Sequence, residues 1–234
     1  MAGSALILLL LAQAPDFEPL YRQALEQRER ALGKDAAKTH ESARDLGLYL
    51  AARGEYARAE AYWEPAVELA DSLAGATALH NWAVAIAERE PARAEKMYRK
   101  ALELRKGGLA PMDAELAATR LNLAELLLAR GDAGAGPLAA VALAAFDRKL
   151  GAVNERSGAA CGVAGAALAM KGDVAGAERM FRRSLAIAEK THGPDSARTA
   201  SALENLADLL AQTGRASAAR PLKQRAERIR TGSR

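Results

Sequence analysis

The chain has 234 residues; half are hydrophobic but only 4% are aromatic, so the apolar residues are mostly alanine and leucine. Because these residues favour helix, and because glycine and proline lie between the apolar runs, the composition predicts an all-α fold with short turns. The net charge of +4, with both signs interspersed, calls for no strongly polyanionic partner. A single cysteine, Cys161, excludes an internal disulfide and a thiolate cluster.

The N-terminus is an uncharged apolar segment. Residues 6–11 are too few to cross a bilayer as a helix, which takes about 20 apolar residues, so no stable membrane span is expected. Small residues follow at Ala12 and Ala14. This pattern predicts a signal peptide over residues 1–12, and a periplasmic or secreted protein if that leader is cleaved, otherwise a cytoplasmic one. No basic residue precedes the apolar run, and the alternative is a first helix of the fold.

An internal repeat occupies the rest of the chain, residues 13–234. Residues 191–214 align with residues 31–54 at an offset of 160. The aligned pairs include Gly33 with Gly193, Asp35 with Asp195, and Thr39 with Thr199. The later copy begins with a turn, and Asp195 or Ser196 is expected to be the N-cap of the helix that follows.

Each repeat consists of a helix, a tight turn and a second helix that opens with small residues. The turn positions are Gly54, Arg89, Gly131, Gly172 and Gly214. An aromatic residue recurs nine residues after the turn, at Trp63, Tyr98 and Phe181. A small residue lies four residues before each aromatic residue and another lies three residues after it. Small side chains let antiparallel helices approach closely, and the aromatic residue is expected to fill the wedge between one pair and the next. Such pairs bury their apolar faces only by stacking.

This register divides the chain into units. It predicts a half repeat over residues 16–35 and full repeats over about 36–72, 73–110, 111–151, 152–192 and 193–231, hence about eleven helices. The third repeat departs from the pattern, because Gly134, Gly136 and Pro137 crowd the start of its second helix and Ala140 stands in the aromatic position. Since glycine weakens a helix, this pair is expected to be the softest.

The repeat resembles a known family. The pattern L-x-x-L-G/A at Leu46–Gly47, Leu123–Ala124 and Leu206–Ala207, followed by the turn and the small, aromatic and small positions, resembles the tetratricopeptide repeat. The period near 42 residues and the turns LGKD and HGPDSART are similar to the extended repeats of kinesin light chain and of many bacterial proteins. The resemblance covers residues 16–230. It implies a right-handed superhelical solenoid of antiparallel helix pairs that acts as a scaffold for protein binding.

The sequence offers little for catalysis. The three histidines, His40, His80 and His192, are dispersed and lie in no close metal-binding pattern. No nucleophile elbow, phosphate-binding loop or dinucleotide fingerprint is present. The interpretation is therefore a protein that is not an enzyme and has no catalytic residue, no cofactor and no metal site.

The resemblance also implies where a partner binds. In tetratricopeptide stacks the first helices line the concave groove, and the position two residues before the conserved small residue points into it. That position holds Asp45, Asn81, Asn122, Val163 and Asn205, with Arg44 beside the first. Asparagine amides can both donate to and accept from the backbone of a partner protein or extended peptide. The alternative is that these asparagines bond to neighbouring helices and stabilise the stack.

The function that follows is a non-catalytic scaffold that binds a protein or peptide in the groove. The alternative is a regulatory or accessory module of an enzyme or nucleic-acid regulator that uses its basic C-terminal end. That end carries Arg220, Lys223, Arg225, Arg228 and Arg230. Because no aromatic residue is interleaved for base stacking, the pattern favours a polar cap over nucleic-acid contact.

Overall fold

The structure, a computed structural model, describes residues 16–232, and all regular elements in that range are helical. The chain divides into two compact units, one ending at Gly108 and the other beginning at Leu109. When residues 56–69 are counted as one interrupted helix, the described range holds eleven helices. The all-α fold of helix pairs predicted from the repeat is confirmed.

The first unit contains six α-helices. They are α1 (Glu18–Leu32), α2 (Ala37–Ala52), α3 (Tyr56–Ala59), α4 (Trp63–Leu69), α5 (Leu73–Ile86) and α6 (Pro91–Gly108). A 3-10 turn, Glu60–Tyr62, separates α3 from α4. Helix α2 packs against α1, α4 and α5, and α5 pairs with α6.

The second unit contains three regular helix pairs. Its helices are α7 (Ala114–Ala129), α8 (Ala135–Leu150), α9 (Glu155–Met170), α10 (Val174–His192), α11 (Ala197–Gln212) and α12 (Ala216–Thr231). Within each pair the helices pack along their lengths, and the first helix α9 also packs against α7 and α11, the first helices of the neighbouring pairs.

The small positions lie where helices cross. Ala59, Ala66, Ala94, Ala101 and Ala177 are all fully buried. A larger side chain at such a position would hold the paired helices apart, which explains why the repeat keeps alanine there.

The interruption at residues 60–62 differs from the continuous second helix that the repeat predicts. Pro65 has no backbone N–H, so a helix running through from Tyr56 would lose the bond to the carbonyl of residue 61. Tyr62 instead adopts φ −115° and ψ 8°, and Pro65 falls in the first turn of α4, where no donor is needed. In the third repeat, whose helix pair is expected to be the softest, α8 runs without interruption.

The repeated turns have matching backbone geometry. Gly33 has φ 86° and ψ 163°, and Gly193 has φ 89° and ψ 161°, a left-handed φ that favours glycine. Of the two candidate N-caps for α11, Ser196 takes the role, because its hydroxyl accepts from the Thr199 backbone N–H at 3.1 Å. The aligned sequences therefore build the same local structure.

The predicted leader, residues 1–12, lies outside the described residues. Among the residues that are described, no helix is both long and apolar enough to cross a membrane.

Candidate functional site

The second unit contains a cleft of about 470 Å³. Its walls are the three first helices α7, α9 and α11, together with the C-terminal half of α10. Along α9 the lining residues Gly158, Gly162 and Ala166 recur every four residues and so share one face of the helix. Gly162 has no side chain, so the floor of the cleft is open there to the close approach of another chain.

The rim of the cleft carries an ion pair. Glu155 at the start of α9 lies 2.5 Å from the guanidinium of Arg198 on α11, and the Nε2 atom of His192 lies 3.9 Å from the same carboxylate. Both partners of the Glu155–Arg198 pair are partly exposed, so its contribution to stability is small. The pair leaves this end of the cleft nearly neutral.

A second carboxylate, Glu125 on α7, also lines the cleft. Among the described residues no cation lies within ion-pair distance of it. The surrounding protein removes water from this carboxyl group, and this desolvation raises the pKa of Glu125. A cationic group from a partner would compensate the charge that the chain leaves unpaired.

Of the predicted groove positions, two line the cleft, Val163 of α9 and Asn205 of α11. Asn205 on α11 lines it, is exposed, and has no side-chain hydrogen bond within residues 16–232. Asn122 on α7 is half-buried and has an interaction within the chain.

The other predicted groove residues belong to the first unit. Asn81 is exposed on α5. Asp45 and Arg44 lie on α2, where the Arg44 guanidinium lies 2.6 Å from the Asp45 carboxylate and donates to the Leu69 carbonyl at 2.7 Å. Arg44 therefore helps to join α2 to the end of α4.

Sequence reasoning missed the ion pair of the cleft, Glu155 and Arg198. Glu155 and Arg198 precede or open their helices, far in sequence from the repeated asparagine position. The spacing of Gly158, Gly162 and Ala166 was the available signal, because small residues four apart mark one smooth helix face.

The described residues provide no obvious reactive centre. No group of three or more His, Cys, Asp or Glu side chains is placed to hold a metal ion within residues 16–232. Cys161 is fully buried in α9, and burial raises the pKa of its thiol to about 11. Because the thiolate is the nucleophile, this cysteine is unreactive at neutral pH.

The basic C-terminal helix is largely paired with the preceding helices. Lys223 lies 2.8 Å from Asp208, Arg225 lies 2.6 Å from Glu189, and Arg230 lies 2.5 Å from Glu204. These carboxylates belong to α10 and α11, so three of the five cations of this end bind α12 to the stack. The pairing favours the interpretation of α12 as a polar cap.

Comparison with known families and structures agrees with the helix pairs. Two family models, each described as Tetratricopeptide repeat, match residues 157–232 and 41–77. No curated protein is significantly similar in sequence.

Several solved structures share the fold. BtubC (BKLC) from P. vanneervenii is 21% identical over 92% of this chain and 90% of its own, with a TM-score of 0.66. A putative kinesin light chain of Podosopora anserina, with nearly identical TPR-like repeats, is 17% identical over 86% of this chain and 99% of its own, with a TM-score of 0.62. MamA from Desulfovibrio magneticus RS-1 is 15% identical over 94% of this chain and 98% of its own, with a TM-score of 0.55. Residues 41–77 and 157–232 thus match tetratricopeptide repeats, and the chain shares the fold of solved proteins with kinesin-light-chain-like repeats.

Proposed function

We propose that the chain is a non-catalytic scaffold that holds an extended segment of a partner protein in the cleft of the second unit. The repeats themselves are typical of protein-interaction scaffolds. The observation that carries the proposal is the cleft of about 470 Å³ between three successive first helices, with an open floor and an Asn205 amide that has no partner among the described residues.

The floor suits a peptide backbone. Gly162 presents no side chain, and only the Ser184 hydroxyl would come within 4 Å of a Cβ built on it. An extended segment can therefore lie close to α9. The Asn205 side chain can donate to a backbone carbonyl and accept from a backbone N–H at the same time, which holds a segment with little dependence on its sequence.

Charge adds selectivity. Glu155 is neutralised by Arg198, whereas Glu125 has no cation of its own among the described residues. A lysine or arginine in the partner segment would pair with Glu125, which is exposed in the free chain. The proposed partner is thus an extended segment that carries a basic side chain.

A display library of random linear decapeptides tests this proposal. Selection on the full chain should enrich peptides that contain lysine or arginine, and Glu125→Gln should weaken their affinity by up to about fivefold, as expected for the loss of an exposed ion pair. Gly162→Leu should remove binding, because the leucine side chain would extend into the cleft.

Gly107→Leu is the matched control for Gly162→Leu. Gly107 also lies within a helix, α6, and a Cβ built there would meet nothing within 4 Å. This variant should bind the enriched peptides as the parent does. Equal affinity of the Gly162→Leu variant and the parent would show that the peptides bind elsewhere and would overturn the proposal.

A further inference from the structure

The aromatic residue of the first full repeat, Trp63, faces the next helix pair. Trp63 stands nine residues after the turn glycine Gly54. Two cations of α6 lie over its ring, the Arg93 guanidinium carbon at 4.3 Å from the ring centroid and the Lys96 ammonium at 5.2 Å. The ring therefore fills the wedge between its own pair and the second helix of the next one.

The third repeat leaves this wedge open. Ala140 stands nine residues after Gly131, in the register of Trp63, and is exposed. Beside it lies a cavity of about 430 Å³ between α8, α9 and α10. No residue lines both this cavity and the cleft described above, because the two use different faces of α9.

The cavity is apolar, and one of its walls is a methionine. Leu143 and Leu168 line it together with Met180 of α10. Met97 and Met180 each precede the aromatic position of their repeat by one residue, yet Met97 is fully buried and Met180 is only half-buried. An adaptable thioether left partly uncovered is a favourable neighbour for an aromatic ring.

A free cation stands at one end of the cavity. The Lys171 ammonium lies 3.8 Å from the position that a Cβ on Gly136 would take, and no carboxylate of the described residues lies within ion-pair distance of it. The only acidic residue in the lining, Asp147, already accepts from Arg183 at 2.6 Å and from the Ser157 hydroxyl at 2.7 Å. The cavity therefore lacks a negatively charged group that would pair with Lys171.

We propose that this cavity binds an aromatic side chain of a partner protein, on a segment that also presents a carboxylate to Lys171. The ring would fill the place that Trp63 fills in its own repeat and would contact Met180. The site is separate from the peptide cleft, so one scaffold could hold two segments at once.

Methyl NMR of the full chain tests the proposal with a defined probe. The chain contains five methionines, so the ε-methyl spectrum is simple and buried Met97 serves as an internal reference. The probe is the tetrapeptide GFDG, acetylated and amidated. At millimolar concentrations it should shift the Met180 methyl resonance saturably through the ring current, while Met97 stays fixed. The peptide GADG should cause no shift. The peptide GFNG should bind more weakly than GFDG by at most about fivefold, as expected for the loss of a partly exposed ion pair.

Substitutions at the cavity test whether GFDG binds there. Ala140→Trp should fill the wedge and abolish the GFDG shift. Lys171→Gln should weaken GFDG to the affinity of GFNG, whereas the control Lys149→Gln, on an exposed lysine of α8 outside the cavity, should not.

Three results would overturn the proposal. They are the absence of a saturable Met180 shift with GFDG, an equal shift in the Ala140→Trp variant, and a Met180 shift that depends on protein concentration without peptide. The last would assign the cavity to a second copy of this chain. If Ala140→Trp fails to fold, the Lys171 and Lys149 variants and the three peptides still decide the question.

Discussion

Gly165 of α9 lies directly against the ring of Phe181 in α10, so that a β-carbon on Gly165 would stand 2.8 Å from the Cδ1 and Cε1 atoms of that ring. Phe181 is buried and occupies the aromatic position of its repeat. Gly165 occupies the small position seven residues before the turn, as Gly47 does in the first full repeat. Gly165 and Phe181 are thus two sides of one close approach between α9 and α10.

This approach predicts opposite effects for two glycines of the same helix. Gly165→Ala should lower the free energy of unfolding by about 1–3 kcal/mol, because the ring has no room to move away. Gly162→Ala should raise it by up to about 1 kcal/mol, because alanine favours helix and its Cβ would meet only the Ser184 hydroxyl at 3.8 Å. Urea unfolding of both variants measures the difference. Stabilisation of both variants would show that helix propensity alone governs α9.

The register of small and aromatic positions could be predicted from the sequence because close contacts between helices limit which side chains fit at these positions. Ala94 and Ala177 are fully buried, and Tyr98 and Phe181, four residues later in the same helices, are buried as well. The turn glycines could be predicted for a related reason, since Gly54 adopts a positive φ of 80° that other residues rarely take.

The site was harder to predict because it combines groups from separate helices. Glu125 and Arg198 line one cleft although they lie 73 residues apart, and nothing in either neighbourhood marks them as a pair. A repeat pattern assigns the same role to every equivalent position. The structure instead places Asn205 in the cleft and gives Asn122 an interaction within the chain.

A hydroxyl in the repeated turn provides the second prediction. Thr199 is fully buried and donates to the Gly193 carbonyl at 2.7 Å, and Thr39 donates to the Gly33 carbonyl at 2.8 Å. Thr199→Val keeps the shape but removes the donor, so we expect a loss of about 1–3 kcal/mol in the free energy of unfolding. Thr199→Ser keeps the hydroxyl and should lose less. Equal losses for the two variants would mean that the methyl group, not the hydrogen bond, holds the turn.

The third prediction concerns the carboxylate of Asp147. It accepts from the Ser157 hydroxyl at 2.7 Å and from Arg183 at 2.6 Å, and so joins α8, α9 and α10. Asp147→Ala would leave the fully buried Ser157 without this acceptor, and we expect thermal unfolding to show a loss of about 1–3 kcal/mol.

Asp208→Ala is the matched control for that change. It removes an ion pair with Lys223 in which both side chains are more than half exposed. Its effect should stay within about 0.5 kcal/mol. A loss as large as that of Asp147→Ala would show that exposed pairs hold the stack as firmly as the buried network does.

Cys161 gives the last prediction, since burial raises the pKa of its thiol from 9.0 to about 11. The folded thiol stays protonated where the unfolded one has ionised, so the stabilisation is complete below pH 9 and is lost as the pH rises from 9 to 11. Cys161→Ala removes this titration, and the difference in free energy of unfolding between parent and variant should therefore shrink across that window. Iodoacetamide should label the parent thiol rapidly in urea and slowly in buffer at pH 8. Rapid labelling of the folded chain, or a difference that does not change with pH, would contradict the buried placement of this thiol.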